Sequence, residues 1–209
     1  MDNNDHPINS VSLCGSAAEA PSFSHEGRFE RFFVLPLEIR RLSGVYDRVN
    51  VILRERQLSE LDGVFPMLRV AGELRSYNNR RGDGAKLVIT VLAKTLEPCE
   101  EPDENSVCLS GTLCKPPQLR TTPLGREICD LMLAVNRRCG RSDYLPCICW
   151  GQRAREASCF DVGTKLSLDG RLQSRRYIKV TDSGPVERTA FEVSVTQAEE
   201  LIPAENSIF

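Results

Sequence analysis

Two segments in the second half of the chain set aromatic and basic side chains at strand spacing. In Asp143-Tyr144-Leu145-Pro146-Cys147-Ile148-Cys149-Trp150, successive side chains point to opposite faces if the segment is extended. Tyr144, Pro146, Ile148 and Trp150 then share one face, and Leu145, Cys147 and Cys149 the other. Further on, Leu166, Leu168 and Leu172 read as inward-facing, while Arg171, Gln173, Arg175, Tyr177 and Lys179 have the opposite parity. An outer face of aromatics interleaved with arginines suits a single-stranded nucleic acid, which offers bare base faces and one negative charge per nucleotide. Aromatic stacking contributes about 1–3 kcal/mol per base, whatever the sequence. Arginine and lysine neutralise phosphates and release condensed counterions. The opposing reading places Trp150 and Tyr177 in the core and the arginines on a solvated face.

Other chemistries have little to work with. The two histidines, His6 and His25, both lie near the N-terminus, which leaves neither a His-rich metal site nor a Ser-His-Asp triad. None of the nine cysteines stands in the C-x-x-C spacing of zinc sites and redox pairs. They read mostly as small buried apolar residues, with a structural metal the minority reading. No phosphate-binding loop, H-E-x-x-H or G-x-S-x-G occurs, and the carboxylates are scattered. A non-enzymatic protein without cofactor or metal is expected. Met1–Ser10 is polar and acidic, and no apolar run approaches the ~20 residues of a membrane helix. The expectation is a cytoplasmic, nucleoid-associated protein with reduced thiols and no membrane contact.

The elements that would carry these faces occur twice. Asn9-Ser10-Val11-Ser12-Leu13-Cys14-Gly15 reappears 96 residues on as Asn105-Ser106-Val107-Cys108-Leu109-Ser110-Gly111. The same offset takes Leu37–Arg41 onto Leu133–Arg137, Gly44 onto Gly140, Asp47 onto Asp143 and Val51–Leu53 onto Cys147–Cys149. With two residues inserted, Leu68–Leu74 matches Leu166–Leu172; the last strands align as Leu87, Ile89 and Val91 with Phe191, Val193 and Val195. A period near 100 residues is too long for a solenoid and reads as two copies of one domain. The copies are residues 9–98 and 105–196, with a polar tail 1–8, an acidic linker 99–104 and an acidic tail 197–209.

Period-2 alternation marks strands in each copy. Gly111 and Gly170 fall where a coiled sheet bends or bulges. Arg81–Gly84 and Asp182–Gly184 read as hairpin loops. One helical stretch follows the third strand, Gln57–Leu61 in the first copy and Gln152–Phe160 in the second. Five strands with one short helix after the third is the order of an OB-fold, so the chain reads as mainly β with two tandem five-stranded Greek-key barrels.

The second copy resembles the bacterial single-stranded DNA-binding protein family over about residues 105–196. Pro117–Gly125 is similar to its P-x-L-R-x-T-x-x-G stretch and Leu133–Arg137 to its L-A-V-N-R segment. Asp143–Trp150 and Val162–Tyr177 resemble its next two strands, and Arg188–Val193 its last. The resemblance implies stacking by Tyr144, Trp150 and Tyr177, and phosphate contacts by Arg137, Arg138, Arg171, Arg175, Arg176 and Lys179. The family's aromatic before the third strand has no counterpart in Arg138–Ser142.

The first copy has Arg48, Arg54 and Asn79 where the second has Tyr144, Trp150 and Tyr177, with Tyr77 nearby. It keeps Arg40, Arg41, Arg56, Arg69 and Arg75, so two readings stand: a backbone-tracking surface, or a degenerate domain kept for assembly. The resemblance implies four OB domains, which a homodimer of this chain supplies. The family's long Gly/Gln/Pro-rich tail is absent. The chain nevertheless ends in Ile208 and Phe209 after several acids, a candidate tip for replication or repair proteins, with a frayed terminus as the alternative.

The 209 residues carry a formal net charge of −2, which at first argues against a polyanion partner. The charge is partitioned. Residues 105–196 hold 14 Lys and Arg against 9 Asp and Glu, and residues 9–98 hold 13 against 11. The remaining 9 acids sit in tails and linker without a single Lys or Arg. The sequence therefore favours sequence-tolerant single-stranded DNA binding in replication, recombination or repair. The alternative is an OB-fold interaction or replication-restart accessory module that binds DNA weakly.

Overall fold

The computed structural model describes residues 9–61, 67–79, 86–181 and 184–202. The first six strands are β1 (Asn9–Ala17), β2 (Ser22–Glu26), β3 (Arg31–Arg40), β4 (Tyr46–Arg54), β5 (Leu68–Asn78) and β6 (Leu87–Pro98), with a 3-10 turn over Glu55–Leu61. The next six are β7 (Glu104–Leu113), β8 (Gln118–Thr121), β9 (Glu127–Asn136), β10 (Ser142–Trp150), β11 (Lys165–Thr181) and β12 (Gly184–Glu200), with helix α1 (Gln152–Ala157) after β10.

Alternating burial drives the strands to close on themselves. In β10, Leu145, Cys147 and Cys149 are buried while Tyr144 and Trp150 are exposed. In β11, Leu166, Leu168 and Leu172 are fully buried. Burying each such leucine contributes roughly 1.5–3 kcal/mol. β1 pairs with β5, β5 with β6, β6 in parallel with β4, β4 with β3, and β3 returns to β1 through Ser16 opposite Glu38. β7, β11, β12, β10 and β9 repeat this circuit. The fold is mainly β, and the closed circuit with a helical turn after its third member is the OB-fold. Each circuit also carries a short, exposed strand that the five-strand expectation lacks, β2 on β3 and β8 on β9. These two bury nothing, so they leave no apolar alternation to read.

The circuits join through β1 and β7, antiparallel, with Val11 opposite Val107, Asn9 opposite Leu109 and Leu13 opposite Asn105. Val107 is the repeat equivalent of Val11, so the junction lies on a local two-fold axis. The result is one twelve-stranded sheet whose ends are β2 and β8.

Glycines permit the tight closures. The ladders slip at Ala71/Gly72 and at Asp169/Gly170. A Cβ on Gly170 would overlap the Ser194 carbonyl, and one on Gly111 would sit 2.6 Å from the Ala134 carbonyl oxygen. Sterics, rather than an unusual φ, reserve these positions for glycine.

Several details depart from the sequence expectations. The last strands align two residues differently: Val51 faces Val91 and Cys147 faces Val193, so Val91 corresponds to Val193 and Ile89 to Phe191. A slip of two preserves alternation, and parity cannot detect it. Glu104 opens β7 rather than ending the linker, and β12 runs on through Gln197–Glu200, paired with Leu166–Asp169. Backbone pairing needs no apolar side chains, so acidic residues can extend a ladder. Helix α1 stops at Ala157, and residues to Phe160 continue as single-turn bonds.

The cysteines are less uniformly buried than expected. Cys14, Cys129, Cys147 and Cys149 are buried, Cys108 and Cys114 are half-buried, and Cys139 and Cys159 are exposed. Against the expectation of reduced thiols, Cys14 of β1 is joined in a disulfide to Cys99, just past the end of β6 and 85 residues away. Among the described residues no helix is long and apolar enough to cross a membrane, and no group of three metal-ligating side chains assembles.

Candidate nucleic-acid interface

The outer face of β10, β11 and β12 meets the β8–β9 hairpin in an open groove of about 650 Å³. Trp150 closes one wall from the last position of β10, opposite Ile128 of β9, and is 37% exposed. Arg171 and Arg175 enter from β11, two turns of the strand period apart, on the face opposite the buried leucines. The β8–β9 hairpin is a tight turn. The Gly125 N–H donates to the Thr122 carbonyl at 2.9 Å with Gly125 at a φ of 74°, and Thr122 Oγ1 accepts the Arg126 N–H at 3.1 Å. That turn delivers Arg120 and Arg126 to the groove on either side of it. Arg120 is oriented by Asp130, with Nε to Oδ2 at 2.5 Å, which raises the guanidinium pKa. One acid, Glu192, also lines the groove and accepts from Gln173 Nε2 at 2.7 Å.

The arrangement is therefore a partly exposed indole beside several guanidiniums, with an apolar strip from Ile128 and Ile148 on its floor. It offers one face to stack and several charges to pair.

Of the residues singled out by sequence, Trp150, Arg171 and Arg175 are brought together here. Arg175 lies over the Tyr177 ring, 5.7 Å from its centroid, and Tyr177 itself lies beyond the groove lining. Tyr144 is exposed at the opposite end of β10, where its N–H donates to Ser76 Oγ at 2.8 Å. Arg137 stands apart from Trp150. It is bound to the fully buried Asp143 through Nε to Oδ2 at 2.7 Å, and its Nη2 reaches the Ser76 carbonyl at 3.2 Å. That carboxylate raises its pKa. Arg138 is exposed in the turn closed by Arg137 N–H to the Arg141 carbonyl, at 2.7 Å. Arg176 is 81% exposed and 3.9 Å from Glu187. The side chain of Lys179, and Ile208 and Phe209 entirely, lie outside the described residues, as does the Arg81–Gly84 loop.

Sequence reasoning missed Arg120 and Arg126, although the turn residues Pro123 and Gly125 between them were a readable hairpin signal. It also missed a second, pseudo-symmetric groove of about 750 Å³ on the first circuit. His25 stacks on Phe32 there, at 4.8 Å and 8° between planes, near Tyr77, Arg75 and Arg137. On the same hairpin Phe23 and Phe33 meet edge to face, and Arg31 lies over both rings at 5.3 and 5.6 Å. The first copy looked poor in aromatics because its β4 and β5 positions are basic or polar. Most of its aromatics stand on the β2–β3 hairpin instead, with four of the eight phenylalanines within residues 23–33.

The chain is similar to known proteins. Residues 104–201 match the Single-strand binding protein family. This segment is β7–β12 and supplies every lining residue of the Trp150 groove except Arg41. The chain is similar to single-stranded DNA-binding protein 2 of Listeria innocua, at 38% identity over 80 residues, covering 35% of this chain and 50% of that protein. It is similar also to single-stranded DNA-binding protein A of Bacillus subtilis, at 39% over 80 residues, covering 35% and 46%. The chain thus spans about half the length of the curated relatives it matches. The structural likeness reaches further than the family segment. The crystal structure of the wild-type single-stranded DNA binding protein from Thermus aquaticus superposes with a TM-score of 0.72 at 25% identity, covering 93% of each chain. A deletion mutant of that protein gives 0.73, covering 95% of this chain and 98% of the other.

Proposed function

We propose that this protein binds single-stranded DNA without regard to sequence and performs no catalysis. The observation that carries this reading is the groove that sets Trp150 among Arg120, Arg126, Arg171 and Arg175. Trp150 stacks a base, and the arginines pair with the flanking phosphates. Tyr144 and Tyr177 extend the stacking path beyond the groove, with Arg138, Arg176 and Lys179 as outlying phosphate contacts. Arg137, held by Asp143, serves chiefly to order the junction between the circuits. The relatives named as single-stranded DNA-binding proteins support the reading, and replication, recombination or repair is the setting it implies, in a bacterial cytoplasm at the nucleoid.

Trp150 is the single tryptophan, so its fluorescence reports on this groove alone. Titration with oligo(dT) is expected to quench it, with tight binding to single strands over duplex and affinity falling steeply with salt. Absence of quenching at low salt refutes the reading. It would favour instead a protein-interaction module, for which the exposed Phe23 and Phe29 offer a surface.

The reading extends to organisation. The two circuits, residues 9–98 and 104–200, act as two OB domains, and a homodimer presents four such domains. Sedimentation equilibrium at micromolar concentration should give a dimer; a monomer excludes it. Ile208 and Phe209 engage replication or repair proteins in this reading, and replacing Ser207–Phe209 should abolish their capture.

A further inference from the structure

Arg41 belongs to the first circuit, just past the end of β3, yet it lines the groove that holds Trp150 on the second. Asp47, only 1% exposed, puts it there. Arg41 Nε donates to Asp47 Oδ2 at 2.6 Å, and Nη2 donates to Oδ1. The same Oδ1 accepts the backbone N–H of Ser174 in β11 at 2.9 Å, and Arg41 Nη2 lies 3.5 Å from the Ser174 carbonyl. One buried carboxylate thus ties an arginine of one circuit to the DNA-facing strand of the other.

A second guanidinium crowds the same acid. Arg171 Nη1 lies 3.8 Å from Asp47 Oδ2, and burial together with Arg41 pushes the Arg171 pKa down, with Asp47 opposing. Two cations sharing one buried carboxylate leave an excess of positive charge around Asp47. Asp47 engages Nε and Nη2 of Arg41, and Nη1 has no partner among the described residues. Both arginines keep part of their side chains at the surface, 22% for Arg41 and 35% for Arg171. A bound anion would relieve their mutual repulsion.

We propose that Arg41 and Arg171 together hold one backbone phosphate of the strand that stacks on Trp150, so that the groove of the second circuit is completed by a residue of the first. The inference rests on the single-stranded DNA reading above. It makes the first circuit a contributor to binding without requiring any stacking of its own.

The test uses the full chain, oligo(dT) and Trp150 quenching across a salt series. Arg41→Gln should lower affinity several-fold at low salt and reduce the slope of log K against log salt by about 0.7, the value of one single-strand phosphate contact. The quench at saturation should be unchanged, because stacking is intact. Arg41→Gln leaves Asp47 buried without its partner, so the double variant Arg41→Gln/Asp47→Asn is the safer test. It preserves net charge and an acceptor for the Ser174 N–H, and it should show the same drop in slope. Arg28→Gln, in the exposed turn between β2 and β3, removes equal charge elsewhere and should leave the slope near wild type. If the double variant binds with wild-type affinity and slope, or Arg28→Gln falls as far as Arg41→Gln, the inference is overturned. A wild-type chain that shows no quenching refutes the DNA reading itself, a distinct failure.

Discussion

At the residue scale, equivalent positions in the two circuits have taken different side chains, and the local contacts say what each can do. Trp150 is replaced by Arg54 in the repeat, whose guanidinium is engaged by the Ala93 carbonyl at 3.0 Å and by Glu30 at 3.3 Å. Trp150→Ala should weaken oligo(dT) binding by about 1–3 kcal/mol, and Arg54→Ala by less, in filter-binding titrations that need no tryptophan signal. The thiols divide just as clearly. Burial and Cys129 push the Cys149 thiol from 9.0 up to about 12, with Arg153 opposing, and burial raises Cys147 as well. N-ethylmaleimide at neutral pH should therefore modify Cys139 and Cys159 in the native protein and spare Cys129, Cys147 and Cys149, read by peptide mass. The pH dependence has a definite sign. The unfolded chain ionises these thiols near pH 9 while the folded one keeps them neutral. Their contribution to stability is complete below pH 9 and is lost as pH rises toward 12. A urea midpoint that rises over that interval would contradict the assignment. Much at this scale was legible beforehand, since the strand parity of Leu145, Cys147, Cys149 and Trp150 is their observed burial.

At the scale of elements, closure of each circuit depends on backbone contacts that a side chain would obstruct. Gly170 marks the slip between β11 and β12, and any Cβ there meets the Ser194 carbonyl, backbone that cannot rotate away. Gly170→Ala should cost roughly 1–3 kcal/mol, seen as a lower urea midpoint with an unchanged slope. Gly163, at a φ of 98° with open space around its α-carbon, tests the other mechanism. A loss there reports backbone strain alone. The sequence placed Gly170 in a strand and suggested a bulge, and the ladder confirms one. It could not show β2 or β8, because exposed edge strands carry no burial pattern. For the same reason the aromatics of β2–β3 and the arginines flanking Thr122–Gly125 went unassigned.

At the scale of the whole molecule, the two circuits are locked by reciprocal buried carboxylates about the β1–β7 junction. Asp47 pairs with Arg41 and caps Ser174, while Asp143 pairs with Arg137 and accepts the Ser76 N–H at 2.6 Å. Asn105 makes a matching two-way bond with Leu172, at 2.7 and 2.9 Å, and Asn9 does so with Leu74, at 2.9 and 2.8 Å. Asp143→Ala leaves a half-buried arginine unpaired and a backbone donor unmet, at an expected cost of about 3–5 kcal/mol. Asp130→Ala, which breaks the exposed pair with Arg120, should cost no more than about 1 kcal/mol. Equal losses in urea unfolding would remove the case for a lock. Charge belongs to this scale too: residues 9–98 and 105–196 are each net basic, and the remaining nine acids lie outside those ranges.

Read alone, the sequence determined the strand circuit, its repetition at 96 residues and the chemistry of the outer face. Alternation, bend glycines and residue type are local properties that recur wherever the backbone is extended. The tertiary structure alone decided which outer-face residues share a groove. Arg137 and Asp143, or Arg41 and Trp150, are related by no periodicity. The β9–β10 turn brings Arg137 to Asp143, and the two-fold junction carries Arg41 of one circuit to the groove of the other.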